Sequence, residues 1–434
     1  MKPVIVLFTR NLRLEDNAPL SEAVHTQAPV IPCYIAQADT FSSFAGTFIL
    51  ESLHELHKAL QDAGGRLYVF SGNTAEVLSG IAEAVGETEL FIEEDVSPGF
   101  HQLLSDIPES FSVRTIPDKT LTHPREIQKS DGTAYKVFSH YLAQARRKDI
   151  KPPLSFQNGR WYGKTLEGAL GLPPAASHNT YLRGGRENGL TALSSLSRLS
   201  SYPSTRDIPS IDTSRLSAHL AWGTLSIREV YFAALSVFPD DPVFINELFW
   251  RDFWLYIAYH YPHVFTSSFY KKFDSLHWQW NSDHFNAWCF GRTGFPLVDA
   301  GMRELNQTGF MHNRVRMTAA SFLTKDLHIS WKKGEAYFAS LLADYDHAVN
   351  NGNWQWAAST GCDAQPFFRI FNPWSQQKRF DPEAEYIHRW IPELRKYQAS
   401  EIHRHETSPL PDYPPPMVSH REERKLALEW YRSV

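Results

Sequence analysis

The chain reads as an α/β N-terminal domain, a Rossmann-like parallel sheet, followed by an all-α C-terminal domain. Three observations predict this. Over the first 130 residues, short β-branched runs alternate with helical patterns, the arrangement of a parallel sheet covered on both faces. From Ser214 onward, helical spacing continues almost without a break. None of the thirteen tryptophans precedes Trp161, so the two parts differ in kind. At 434 residues the chain is also too long for one ordinary core.

Val4–Phe8, Val30–Ile35, Arg66–Phe70, Glu89–Ile92 and Ser112–Ile116 are the expected buried strands. Between them, Thr47–Ala63 has apolar residues at helical spacing, and Thr74–Val85 opens on a threonine suited to an N-cap. The first strand-to-helix turn, TRNLRLEDN, has no GxGxxG, so the Rossmann-like shape does not license dinucleotide binding there. Met1–Arg10 reads as a core strand and not a signal peptide. From Lys151 to Pro203 periodicity is lost among Pro-Pro and Gly-Gly breakers, which predicts a connector with a helical interlude near Thr191–Leu199. Helices are then expected at Ser214–Trp222, Ile227–Val237, Val243–His260, Pro296–Gln307, Asn313–Leu327, Trp331–Ala343 and Asn353–Ser359. Thr213, Ser226, Asp241 and Thr308 serve as caps or start signals. The domains expected are therefore 1–130, a connector at 131–200, and a helical domain at 201–434.

The formal net charge of −5 hides an asymmetry. Residues 1–130 hold 9 Lys and Arg against 18 Asp and Glu, whereas the rest holds 34 against 30. An anionic partner should therefore meet the later part. No apolar run approaches the roughly 18 residues of a membrane span. Three cysteines, without CxxC or zinc-type spacing, point to a reducing cytoplasm and to no disulfide or metal framework.

Four constellations carry chemistry. Thr213, Ser214, Arg215, Leu216 and Ser217 set hydroxyls and a guanidinium at a helix start, which suits a diphosphate as well as ordinary capping. Tyr202 and Arg206, just upstream, offer an aromatic face and a cation. Glu247, Trp250, Arg251 and Trp254 fall at i, i+3, i+4 and i+7, so one helical face carries an acid, two indoles and a cation. Asn313, Arg316 and Met317 share another face, from which Arg316 can reach Asp344 or Asp346. The sharpest is Asn350-Asn351-Gly352-Asn353-Trp354-Gln355-Trp356. Capping explains one asparagine but not two indoles two residues apart, one for an internal ligand and one for a surface cavity. Such a density of donors and acceptors exceeds the needs of a helical core and fits a pocket for a large polar aromatic ligand.

Together these segments resemble the photolyase/cryptochrome flavoproteins, most closely the microbial class I photolyases for cyclobutane pyrimidine dimers. The matching pieces are TSRLS at 213–217, ELFWRDFW at 247–254, GRTGFPLVDAGMREL at 291–305, MHNRVRM at 311–317, DYDHAVNNGNWQWAAS at 344–359 and FRIFNPWSQQKRFDP at 368–382. Their order spans nearly the whole chain. The resemblance implies FAD held by Tyr202, Thr213, Ser214, Arg215, Leu216 and Ser217 at its phosphates and ribityl end. Arg316 and Asp344 would pair over the flavin ring, with Asp346 nearby and Asn350 at N5. DNA containing a pyrimidine dimer would be the partner. Trp250 and Trp356 would wall the lesion, Glu247 and Asn313 would hydrogen-bond it, and Met317 would pack beneath it. Arg206, Arg251, Arg314 and Gln376 would face the DNA. Trp354, Trp331 and Trp278 match an indole chain that reduces the oxidised flavin under light. The implied reaction is electron transfer from excited FADH⁻ to the dimer, with Glu247 supporting the dimer's negative charge and no metal required. A monomer without an obligate protein partner is expected by analogy.

Rival readings differ at named positions. The (6-4) photoproduct branch carries two histidines in its pocket, where Asn313 and Met317 stand here. A cryptochrome-type receptor usually replaces the residue at Asn350 and often adds a C-terminal extension, which is not expected here. A plain nucleic-acid-binding helical protein has no need of the TSRLS and DYD segments. The resemblance weakens at the second, antenna chromophore. The basic residue usual for a deazaflavin is replaced within AHLAWG by Ala221 and Trp222, Gly46-Thr47 stands for the usual Arg near Phe48, and no folate-type Asn-Glu pair lies near Glu93–Gly99. FAD is therefore expected, and a folate or deazaflavin antenna is left open.

Overall fold

The computed structural model describes every residue except 38, 175–180, 240–241 and 365. The cap expected at Asp241 lies outside the described residues. Contacts divide the chain into two compact units, one of Met1–Tyr135, Ser139–Ser200 and Ser214–Tyr259, the other of Lys136–Phe138, Ser201–Thr213 and His260–Val434. Residues 214–259, grouped by pattern with the helical part, thus pack within the first unit.

Five strands build the sheet: β1 (Val4–Leu7), β2 (Val30–Ala36), β3 (Tyr68–Ser71), β4 (Thr88–Glu93) and β5 (Phe111–Ile116). All pairs are parallel, in the order β3-β2-β1-β4-β5. The β-branched runs of β1 to β4 form strands because they are largely buried on both faces, whereas β5, expected as buried, is buried only at Phe111. Val4, Val6 and Val30 join one core cluster, while Ile5, Leu7 and Ile31 join another. Helices α1 (Ala18–His25), α2 (Phe44–Asp62), α3 (Thr74–Val85) and α4 (Pro98–Asp106) intervene between the strands. Asn73, and not Thr74, caps α3, accepting from the N–H groups of Ala75 and Glu76. α5 (Phe138–Ala145) and α6 (Arg186–Ser194) follow; the end of α6 and the 3-10 helix after it, Ser195–Leu199, cover the expected interlude.

After α7 (Tyr202–Thr205) come α8 (Ser217–Trp222), α9 (Ile227–Val237) and α10 (Pro242–His260). Ser226 and Glu229 close a reciprocal capping box on α9. Gly223 ends α8 at φ +66, where a Cβ would lie 2.0 Å from the Arg10 carbonyl oxygen, so the approach of the β1–α1 turn requires glycine. Buried charges also hold this unit together. Arg13 meets Asp118 at 2.6 Å, and Arg228 bridges Asp16 at 2.7 Å and Asp118 at 2.5 Å.

The second unit is helical: α11 (Ser282–Cys289), α12 (Pro296–Thr308), α13 (Asn313–Lys325), α14 (Trp331–Leu341), α15 (His347–Ala357), α16 (Pro373–Phe380), α17 (Glu385–Trp390), α18 (Ala399–Ile402) and α19 (His420–Arg432). One large cluster, including Trp288, Leu305, Phe322, Trp331, Phe338 and Trp354, forms its core. Thr308 ends α12 and does not start a helix; its hydroxyl donates to Glu304 O at 2.7 Å. α15 begins six residues before its expected start, capped by Asp346, so Asn350, Asn351 and Asn353 lie inside the helix. Cys33, Cys289 and Cys362 are buried free thiols. Among the described residues, no helix is long and apolar enough to cross a membrane.

Candidate functional site

In the second unit, α13 and the turn before α15 bring the expected charge pair together. Arg316 Nη2 lies 2.8 Å from Asp344 Oδ2, and its Nε donates to Met311 O at 2.7 Å. Those two bonds fix the guanidinium plane, which also sits 5.5 Å from the Phe310 ring centroid. Asp344 Oδ1 is buried and has no hydrogen-bond partner among the described residues. Asp346 Oδ1 accepts from Ala348 N at 3.1 Å and Val349 N at 3.2 Å, which anchors the N-terminus of α15 beside this pair in sequence.

One turn into α15, Asn350 Nδ2 donates to Glu335 Oε1 at 2.9 Å. Tyr345 Oη is 3.2 Å from the same oxygen. Glu335 was not singled out by the sequence. The available signal is its place one helical turn after Trp331 on α14, facing the helix that follows. The inner asparagine and glutamine stitch α15 to the core instead, since Asn351 Nδ2 and Gln355 Nε2 both donate to Val264 O.

Trp354 and Trp356 separate as their spacing requires. Trp354 is buried, with its ring 4.9 Å from Phe338 and 6.2 Å from Trp288. It lies against Gly334 of α14, where a Cβ would sit 2.2 Å from the indole. Trp331 belongs to the same buried cluster, and Trp278 packs against it. Trp356 is half-buried and lies 6.4 Å from Phe371, an aromatic neighbour that the sequence reading did not select.

Asn313 is exposed at the start of α13 and its amide contacts Met317 Sδ at 3.7 Å, so the two share a face. Arg314 is held by Asp207 at 2.7 Å and stacks 4.4 Å over Phe380. Gln376 on α16 has a buried Oε1 without a partner among the described residues. Tyr202, Arg206 and Thr213 are half-buried in this unit. Two groups behind α13 are tuned by burial. Glu304, accepting from Tyr386 Oη at 2.5 Å, is pushed up to about 7. His312, the N-cap of α13, is pulled down to about 4 and is neutral at pH 7.

The first unit carries the remaining residues. α8 starts at Ser217 and not at Ser214, and its N-cap is Leu216 and not Thr213; the Leu216 side chain makes no capping hydrogen bond. Arg215 adopts φ +52, and its guanidinium stacks 3.8 Å over Tyr181. On α10, Glu247 and Trp250 are half-buried, with Trp250 packed against Phe253 and Trp254. Arg251 does not fit the expected DNA-facing role. Its side chain is 12% exposed and donates to Lys119 O at 2.7 Å while pairing with the buried Asp252. Helical spacing put it on the Glu247 face, but Asp252, with no exposed side chain, draws the guanidinium inward. No cluster of three or more metal-ligating side chains occurs among the described residues.

Residues 244–433 match the FAD binding domain of DNA photolyase, and residues 4–156 match the family DNA photolyase. A deoxyribodipyrimidine photo-lyase of Alkalihalophilus pseudofirmus is 34% identical over 98% of this chain and 97% of its own. Among solved structures, an archaeal photolyase from Sulfolobus tokodaii with two FAD molecules superposes at TM-score 0.90 with 35% identity, covering all of both chains. A cryptochrome from Synechocystis gives TM-score 0.89 at 28% identity, over 98% of this chain and 99% of its own.

Proposed function

This chain belongs to the DNA photolyase family, and from that premise we propose that it is a light-driven lyase that splits cyclobutane pyrimidine dimers in DNA. The observation that carries the reading is the Arg316–Asp344 pair with one carboxylate oxygen left over. A buried acceptor without a donor costs about 1–3 kcal/mol, so Oδ1 of Asp344 calls for a ligand N–H or O–H.

The residues present fit FAD. Arg316, Asp344, Asp346 and Asn350 would hold its flavin end. Tyr202, Thr213, Ser214, Arg215, Leu216 and Ser217 would hold the ribityl chain and phosphates. With its amide nitrogen tied to Glu335, Asn350 keeps its carbonyl oxygen to accept an N–H of reduced flavin without adding a charge. Bound there in reduced form, FAD would supply the photoexcited electron needed to open the cyclobutane ring. Trp354, Trp331 and Trp278 would relay electrons to an oxidised cofactor.

The other side chains place the lesion. Stacking on Trp250 and Trp356, of order 1–3 kcal/mol per base, offsets the cost of extruding the dimer from the duplex. Asn313 and Glu247 hydrogen-bond its base edges, and Met317 packs beneath. A protonated Glu247 would donate to the negative charge that develops on the dimer, preorganised stabilisation of the kind that needs no movement at the moment of reaction. Arg206, Arg314 and Gln376 would meet the strand, while Arg251 stays with Asp252. An absorption band beyond that of FAD would reveal a second, antenna chromophore in the purified protein.

Expression in cells lacking dimer repair tests the function. The reading predicts that blue light rescues ultraviolet-irradiated cells carrying the native chain, and that the Trp250→Ala variant rescues poorly. Survival equal in light and dark would contradict it.

A further inference from the structure

Beyond Trp278, the outer member of the relay proposed above, lies one more indole. The Trp430 ring on α19 meets the Trp278 ring at 4.9 Å, edge to face at 89°. Both indoles are half-buried, so the pair forms a step between the core cluster and water. α19 is firmly anchored. His420 Nδ1 lies 2.5 Å from Asp326 Oδ1, His328 Nε2 lies 2.7 Å from Glu423 Oε2, and Tyr431 Oη donates to Ala358 O at 2.5 Å. Ala358 is the C-cap of the helix that carries Trp354. Three bonds therefore hold Trp430 in register with Trp278, and its neighbour Tyr431 is buried beneath it.

We propose that Trp430 is the outermost electron donor of the relay, resting on the reading above that Trp354, Trp331 and Trp278 conduct. One electron passes from Trp430 to oxidised Trp278, restoring it. The indole cation left on Trp430 sheds its N–H proton to water, and a thiol in the medium then returns one hydrogen atom, becoming a thiyl radical. Two such thiyl radicals combine to a disulfide, which closes the balance. The physical gain is twofold. A cationic ring is better tolerated where water reaches it, and one more ring of separation slows charge recombination.

A second aromatic route competes on the same grounds. Trp354 touches Trp288, Phe285 stacks on Trp288 at 5.9 Å, and Trp280 lies 5.3 Å beyond with 59% of its surface exposed. Its middle member is a phenylalanine, which is far harder to oxidise than indole, so this route is broken.

Laser-flash absorption and electron paramagnetic resonance on the FAD-loaded, oxidised protein decide the matter. In W430F the long-lived indole radical should be lost and thiol-dependent photoreduction should fall by half or more, with FAD content and melting midpoint unchanged. In W430Y a tyrosyl radical signature should replace it, which a merely structural role would not produce. W280F should match the native protein. Native radical lifetimes in W430F, or a lost radical in W280F, would overturn the proposal. Unimpaired photoreduction in W331F would instead overturn the relay beneath it, so the two failures are distinguishable.

Discussion

One oxygen of Asp344 pairs with Arg316 while the other has no partner among the described residues, and that pair is where loss should be felt first. Its side chain is 3% exposed against 24% for Arg316. Removing one partner of such a pair strands the other; with the partial exposure of Arg316, a stability loss of about 2 kcal/mol is expected for Asp344→Ala. Flavin absorbance per polypeptide after gel filtration should fall as well, and full retention would detach Asp344 from the cofactor. Glu247→Gln should bind damaged DNA nearly as the native chain does but give a lower repair yield per absorbed photon; an unchanged yield would remove Glu247 from the chemistry. Glu304 makes a pH prediction. Burial raises its folded-state value from 4.5 to about 7, so the folded chain holds a proton that the unfolded chain releases. Its contribution is fully present below pH 4.5 and is lost as pH rises through about 7. Glu304→Gln, which keeps a neutral acceptor for Tyr386, should therefore flatten the decline in melting midpoint over that window; an unchanged slope would mean that Glu304 does not titrate there.

At the level of the helix, close approach is the sensitive quantity. Gly334→Ala would drive a methyl into the Trp354 indole, so the ring or α14 must shift. Overpacking of that kind costs about 1–3 kcal/mol, and tryptophan fluorescence should report a changed environment; a native spectrum and midpoint would show that the interface yields freely. What the sequence revealed at this scale follows from where apolar residues dominate. α9 was read at its true bounds because Ser226 and Glu229 cap an amphipathic run. The start of α15 was missed because its first turns carry His347, Asn350, Asn351 and Asn353. Asn350 and Asn351 bond Glu335 and Val264, and the exposed Asn353 bonds the Val349 carbonyl of its own helix, so polar residues occupy positions that periodicity assigns to a loop. The short α1 and α4 were likewise passed over; each starts with a cap and a proline in its first turn and is too brief to establish a period. Arg251 illustrates the limit for single side chains. Spacing fixes the face of a helix, while the buried neighbour Asp252 decides where a long guanidinium goes.

Over the whole chain, the two parts announced by composition correspond to a parallel sheet and a helical assembly, although residues 214–259 join the former. Although β5, expected as a buried strand, is largely exposed, the parallel sheet was legible because strands alternate with helical segments. The allegiance of α8–α10 was not, since helical spacing says nothing about the partner that buries a helix. The run from Asn350 to Trp356 stands out in the sequence because polar and aromatic residues cluster there, although Asn351, Gln355 and Trp354 turn out to pack the helix against the core. Supporting residues such as Glu335, Glu304 and Asp207 look ordinary in sequence and gain meaning only through the atoms they touch. The most direct test of the account is repair of one defined lesion. Purified, FAD-loaded and reduced protein should convert an oligonucleotide with a single thymine dimer to intact thymines under blue light and leave it unchanged in the dark. Persistence of the dimer under illumination, with the reduced flavin spectrum in place, would contradict the account.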